Sequence, residues 1–185
     1  MKLKSLFLLL AGLVLVSGIQ AKVTPPPAKK IMKVACRKAA AENKNVCIIF
    51  HASWCGWCHR MDSIMNMPEC KPLFDANWVT DHMVVQEHKP ELKKLENPGG
   101  QEFMDKYNGQ NQGIPFWLVF NPKGELLADS RMPAKDKTGK DILTNTGCPA
   151  QPDEVAYFVT VLKKTTKLTQ PEIDLIADRF LLKKK

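Results

Sequence analysis

The chain has 185 residues, 44% hydrophobic and 25% charged, with a formal net charge of +8. That length and balance suit one folded domain with a real core, and no repeat or low-complexity tract interrupts it. The lysines are scattered, with short clusters such as Lys163-Lys164 and Lys183-Lys184-Lys185. The excess charge therefore reads as a solvated surface and gives no nucleic-acid footprint.

In chain order, Lys2 and Lys4 precede a nearly all-apolar run from Ser5 to Ile19, and Ala21 offers a cleavage position. Residues 1–21 read as a secretory signal peptide. The run is shorter than the roughly 20 residues that span a bilayer, and an uncleaved anchor is the alternative. The cleavage region has no Cys for lipid attachment. Loss of two lysines leaves a net charge of about +6. Export takes the chain where disulfides persist. The chain ends without a KDEL-type retention signal, so the expected location is periplasmic or secreted.

Residues 22–30, with Thr24-Pro25-Pro26-Pro27, read as a stiff Pro-rich linker. Ile31, Val34, Ala35 and Ala39 recur at helical spacing over 28–43. Val46 to Phe50 is a short apolar run, suited to a strand buried on both faces. A helix is expected from Cys55 through Met61 and Ile64-Met65 to a break at Pro68, then a further turn with Leu73 and Phe74. Met83-Val84-Val85 reads as a second strand. Residues 90–107 read as two helical pieces split at Asn97-Pro98-Gly99-Gly100, the second with Phe103, Met104 and Tyr107 on its apolar face. Phe116 to Phe120 is a strand by composition. Asn121-Pro122-Lys123-Gly124 is a turn, and Glu125 to Asp129 a partner strand. A polar loop is expected from about Ser130 to Gln151. Pro152 opens a helix with Val155, Phe158, Val159 and Leu162 at helical spacing. Thr169 and Glu172 form a capping-box pattern ahead of a last helix with Ile173, Ile176, Ala177, Phe180 and Leu181 on one face. The order predicts a mixed central sheet flanked by helices, an α/β fold.

Within HASWCGWCHRMD, residues 51–62, two motifs overlap. Cys55 and Cys58 form a C-x-x-C redox pair; Cys55 through His59 is also the C-x-x-C-H pattern of covalent haem attachment. As a c-type haem protein, the chain would use His59 as proximal ligand and Met83, Met104 or Met132 as distal ligand. The strands at 46–50 and 116–120 do not suit a helical cytochrome. A structural zinc site would need four ligands at defined spacing, and there is no second C-x-x-C. Cys55, Cys58, His51 and His59 together would block the groove over the motif. No metal or cofactor is expected.

The apolar strand leading into Ala52-Ser53-Trp54-Cys55-Gly56-Trp57-Cys58, with Gly113-Ile114-Pro115 ahead of a second apolar strand and the Asn-Pro-Lys-Gly turn, resembles the thioredoxin superfamily. The resemblance covers about residues 28–165. Its variant is similar to exported thioredoxin-like proteins and to the C-terminal domain of transmembrane disulfide reductases. The resemblance implies a thioredoxin-like domain at 31–165 and leaves 166–185 as a C-terminal helical extension. It implies a cis Pro115 facing the dithiol, with the backbone of Ile114 pairing with a substrate peptide. Trp54, Trp57, Ile114 and Pro115 would bind substrate.

A strand-to-helix junction puts Cys55 at a helix N-terminus, where free N–H groups and the helix dipole favour a thiolate. Lowering a thiol pKa from about 8.5 to about 6.5 raises the thiolate fraction at neutral pH from about 3% to about 75%. Cys55 is then the attacking sulfur, and Cys58 resolves the mixed disulfide. The expected activity is that of a protein thiol–disulfide oxidoreductase, on the reductase or isomerase side, with a membrane redox partner as electron source. The alternative is a binding module that holds a client or delivers thiols for cytochrome or metal-centre assembly.

Two positions depart from the reducing thioredoxins. Ile49 stands where many carry a buried Asp, and Trp57 replaces a Pro. Glu87 and His51 are candidates for the missing proton relay, although each reads first as a surface or edge residue. A protonated His59 would favour the thiolate, and a solvated His59 is the other reading. Cys36 and Cys47 read as buried free thiols or a neighbouring pair. Cys148 pairs with Cys70 or stands free.

Overall fold

The computed structural model describes residues 24–182. The expected signal peptide, its Ala21 cleavage position and the Lys183–Lys185 cluster lie outside the described residues.

Helix α1 spans Ala28–Glu42 and stops at Asn43, whose left-handed backbone donates to the Ala39 carbonyl. Strand β1, Asn45–His51, leads to the dithiol and then to α2, Gly56–Met65. Helix α3, Lys71–Asn77, turns the chain into β2, Trp78–Val84. A single 3-10 segment at Pro90–Leu95 and helix α4 at Gly100–Lys106 follow. Strand β3 is Phe116–Phe120 and β4 is Leu126–Asp129. A separate hairpin pairs β5, Arg131–Lys135, with β6, Asp141–Asn145. Helices α5, Pro152–Thr165, and α6, Gln170–Phe180, complete the described chain.

The central sheet has the order β2-β1-β3-β4. Strand β1 runs parallel to β2 and antiparallel to β3. Alternation along β1 divides the core in two. Cys47 and Ile49 face a cluster built with Met61 and Ile64 of α2, Trp117 and Val119 of β3, and the apolar faces of α5 and α6. Val46, Ile48 and Phe50 face the other cluster, with Ile31, Ala35 and Ala39 of α1 and Met104 of α4. Both faces of β1 are dry, which is why its sequence is apolar without alternation. Phe158 anchors the first cluster, its ring centroid 5.6 Å from Trp117 and 4.9 Å from Phe180. Burying one such side chain contributes about 1.5–3 kcal/mol.

Helix α6, in the segment expected as an extension, packs Ile173, Ile176 and Phe180 into this same cluster. Its capping box is present: Thr169 and Glu172 satisfy each other's backbone N–H groups.

Some expectations are corrected. Val34 lies on the exposed side of α1, and Val161 rather than Val159 is fully buried on α5. Strand β2 begins at Trp78, five residues before Met83. The segment from Ser130 to Gln151 is no loop over most of its length. Asp136 Oδ1 accepts from the N–H groups of Thr138 and Lys140, Gly139 takes φ +84°, and β5 and β6 pair on either side. Ile142 and Leu143 of this hairpin are exposed, so no apolar alternation marks it.

Candidate active site

The sharp passage from β1 into α2 makes Cys55 the N-cap of that helix. Its Sγ accepts the Cys58 N–H at 3.1 Å, one of the donors a helix start leaves unpaired. Cys55 and Cys58 are disulfide-bonded, with S–S 2.07 Å, and both are buried. The Ile114–Pro115 peptide is cis. Cys55 Sγ lies 3.4 Å from the Ile114 carbonyl oxygen, and Ile114 packs against Ala52, Cys55 and Cys58.

Of the four residues expected to bind substrate, Trp57, Ile114 and Pro115 line one groove of about 530 Å³ beside the dithiol. Trp54 lies outside its lining. The Trp54 Nε1–H donates to the Gln86 carbonyl at 2.8 Å, and its ring stacks on His88 with centroids 4.0 Å apart. Both tryptophans are about half exposed, 46% for Trp54 and 50% for Trp57.

Glu87 is no surface residue. It is 1% exposed, and its two carboxylate oxygens accept from the Ser53 N–H at 2.7 Å and the Ser53 hydroxyl at 2.8 Å. A buried carboxylate needs such partners, and here they fix the turn two residues before Cys55. Residues 86–88 thus form a strap that holds Ser53 and Trp54. Nothing local in the sequence marks this, because Ser53 and Glu87 are 34 residues apart.

His51, at the end of β1, is half-buried. Burial pulls its imidazole below the ordinary value, and the nearby His82 ring, 5.0 Å away, adds to this. Asp62 lies on α2, one turn after Cys58. Burial pushes its carboxyl up, but the His82 Nε2 contact at 2.9 Å and the neighbouring histidines bring it below its usual range overall. His59 contacts the Ser53 carbonyl through Nε2 at 2.9 Å. Met83 and Met104 are buried in the cluster on the other face of the sheet from α2, so neither meets His59. Among the described residues no group of three His, Cys, Asp or Glu side chains is placed to hold a metal ion.

Cys36, Cys47, Cys70 and Cys148 are all free thiols, so neither alternative pairing forms. Burial raises each of them, and it pushes Cys47 up to about 12. Cys148 Sγ receives Arg60 Nη1 at 3.0 Å. Arg60, from α2, also donates to the carbonyls of Pro149 and Phe180, and its guanidinium lies over the Trp57 ring at 5.7 Å.

A disulfide-forming pair on the first turn of a helix, facing a cis-proline at the entry of a neighbouring strand, defines a thiol–disulfide oxidoreductase of thioredoxin-like architecture. The thioredoxin-like family model matches residues 29–122, just over half of the chain, and the chain belongs to that family. Solved structures to which the chain is similar include a disulphide isomerase from Xylella fastidiosa Temecula1, 20% identical, with 55% of this chain and 72% of that one covered at a TM-score of 0.45. The oxidised C-terminal domain of DsbD from Neisseria meningitidis is 17% identical, with 76% and 98% covered at 0.43. A thioredoxin from Thermus thermophilus is 19% identical, with 77% and 86% covered at 0.39. No curated protein matches the chain.

Proposed function

We propose that the chain is an exported protein thiol–disulfide oxidoreductase that works as a reductase or isomerase through Cys55 and Cys58. The observation that carries this is the Cys55–Cys58 disulfide at the N-terminus of α2, against the cis Ile114–Pro115 peptide. In the reduced protein, the Cys58 N–H and the α2 dipole favour a Cys55 thiolate. That thiolate attacks one sulfur of a substrate disulfide. A Cys55–substrate disulfide forms, and the other substrate sulfur leaves as a thiolate. Cys58 then loses its proton, and its sulfur attacks Cys55 Sγ. The Cys55–Cys58 bond forms, the second substrate thiolate leaves, and two electrons have passed to the substrate.

Export is supported by the basic start and apolar run at residues 2–19. Among the described residues no helix is long and apolar enough to cross a membrane. Electrons for each cycle would come from a membrane redox partner, because an oxidising compartment holds no soluble pool to supply them.

The test is a Cys58→Ser variant, which should accumulate mixed disulfides with client proteins through Cys55, visible on non-reducing gels and lost in Cys55→Ser. The unmodified protein should reduce insulin or reactivate scrambled ribonuclease. Absence of all three activities sinks the enzymatic role. The potential of the pair decides direction: a reductase or isomerase should lie at about −180 mV or lower, and a value near the roughly −120 mV of a strong oxidant overturns that side of the proposal.

A further inference from the structure

Arg60 carries a charge that the dithiol chemistry does not use. It stands half-buried on α2, two residues after Cys58, and no carboxylate of the described residues forms an ion pair with it. Its Nη1 donates to Cys148 Sγ at 3.0 Å and to the Pro149 carbonyl at 3.1 Å, and its Nη2 donates to the Phe180 carbonyl at 2.5 Å. Neutral carbonyls hold the guanidinium in place without cancelling its charge. Of its hydrogen-bond partners, only the Cys148 sulfur can become an anion.

Cys148 is a free thiol, 3% exposed, on the wall of the groove of about 530 Å³. That cavity is many times the roughly 30 Å³ that one water molecule occupies, so a small polar solute has room beside the thiol. Thr146 lines the same cavity two residues earlier, and its hydroxyl is buried with no hydrogen-bond partner among the described residues. A buried hydroxyl without a partner is unfavourable, and a guest with an acceptor oxygen relieves it. Burial raises the Cys148 thiol, Arg60 opposes this from beside the sulfur, and Glu154 and Asp62 add to the rise. The sulfur therefore keeps its proton at rest, and Arg60 acts where negative charge develops. Cys36, Cys47 and Cys70 have no cation hydrogen-bonded to sulfur among the described residues, although Cys36 is the most exposed of the four free thiols.

We propose that Cys148 is a modification site for hydroperoxides, oxidised to a sulfenic acid whose anion Arg60 holds. The Cys148 sulfur, its proton given up to water, attacks one peroxide oxygen. The S–O bond forms and the O–O bond breaks. The other oxygen leaves as hydroxide and takes up a proton to become water. The sulfur loses two electrons and the peroxide gains them. Arg60 Nη1 favours the thiolate before the step and the sulfenate after it, and the Thr146 hydroxyl donates to the peroxide oxygen. This chemistry lies outside the dithiol and does not rest on the role proposed above.

The test uses the full protein with the Cys55–Cys58 pair kept oxidised, which separates its outcome from that role. Hydrogen peroxide is added together with dimedone, which traps sulfenic acids, and each cysteine peptide is followed over time by mass spectrometry. Cys148 should be trapped about tenfold faster than Cys36, the scale of one charge-assisted hydrogen bond to the sulfur. Exposure alone predicts the reverse order, so a Cys36 rate equal to or above that of Cys148 overturns the proposal. Arg60→Gln should lower the Cys148 rate about tenfold and leave that of Cys36 unchanged, whereas Arg60→Lys, which keeps the charge, should lower it about threefold. Thr146→Val, close in shape but without the hydroxyl, should lower it about threefold. A Cys148 rate that holds or rises in Arg60→Gln also overturns the proposal. If that variant does not fold, the comparison of Cys148 with Cys36 in the parent decides alone.

Discussion

The two flanks of the dithiol are built from different chemistry. On one side, residues 86–88 clamp the turn before Cys55 with a buried carboxylate, an indole donor and a stacked imidazole. On the other, Asn145 and Gln112 stitch the segment after Gly113 with neutral amides at the edge of an open groove. On the carboxylate side the central group is buried: Glu87 is 1% exposed and takes both donors of the exposed Ser53. The amide side is half-exposed, so water can replace lost bonds. The difference is one of burial of the polar group at the centre of each flank. A buried carboxylate clamps the turn before Cys55, and a wall of neutral amides borders the groove on the other side.

That contrast can be broken by experiment. Glu87→Ala should cost about 3 kcal/mol, from loss of the buried carboxylate's two hydrogen bonds to Ser53. For a chain of this size the melting temperature should fall by about 9 °C. Asn145→Ala should cost only about 1.5 kcal/mol. A thermal melt in which the two fall equally would erase the asymmetry. Smaller again is Trp54→Phe, which loses the Gln86 hydrogen bond and part of the His88 stack, at about 1 kcal/mol by the same measurement.

The smallest effect is one of pH. His51 has an imidazole pKa below its ordinary 6.5, chiefly through burial, in a pocket shared with His82, His59, Asp62 and Glu87. The unfolded chain therefore takes up the proton first. The stability linked to a neutral His51 is present above pH 6.5 and is lost as pH falls toward the lower, folded value. Asp62, also lowered overall, works in the same direction below its ordinary 3.8. Melting temperatures of the parent should drop between pH 7 and pH 5, and His51→Asn should flatten that slope. A slope that is unchanged in the variant would remove His51 as its source.

How much of this the sequence discloses depends on the range of each interaction. Strand β1 is legible because both of its faces are dry, and α6 because Thr169 and Glu172 are three residues apart. The dithiol and Pro115 are legible because their chemistry demands particular residue types. Strand β2 is half hidden: Thr80, Asp81 and His82 are polar, since β2 pairs with β1 and lies at the sheet edge. The hairpin is hidden because its side chains face water and carry no core periodicity. Glu87 and Asn145 are hidden for another reason. Their partners lie 34 and about 30 residues away, and an ordinary Glu or Asn gives no sign of such a contact.

Arg60 gives the chain's end a mechanical bearing on its beginning. It leaves the same helix that carries Cys58, passes over the Trp57 ring and meets the carbonyl of Phe180, the last residue of α6. Leu182 closes the same corner, its N–H on the Ala150 carbonyl in the groove wall. The final turn of the described chain thus braces the redox helix from behind, as a buttress does an arch. A cut before Phe180 would remove the buttress and leave a guanidinium beside the groove with one of its anchors gone.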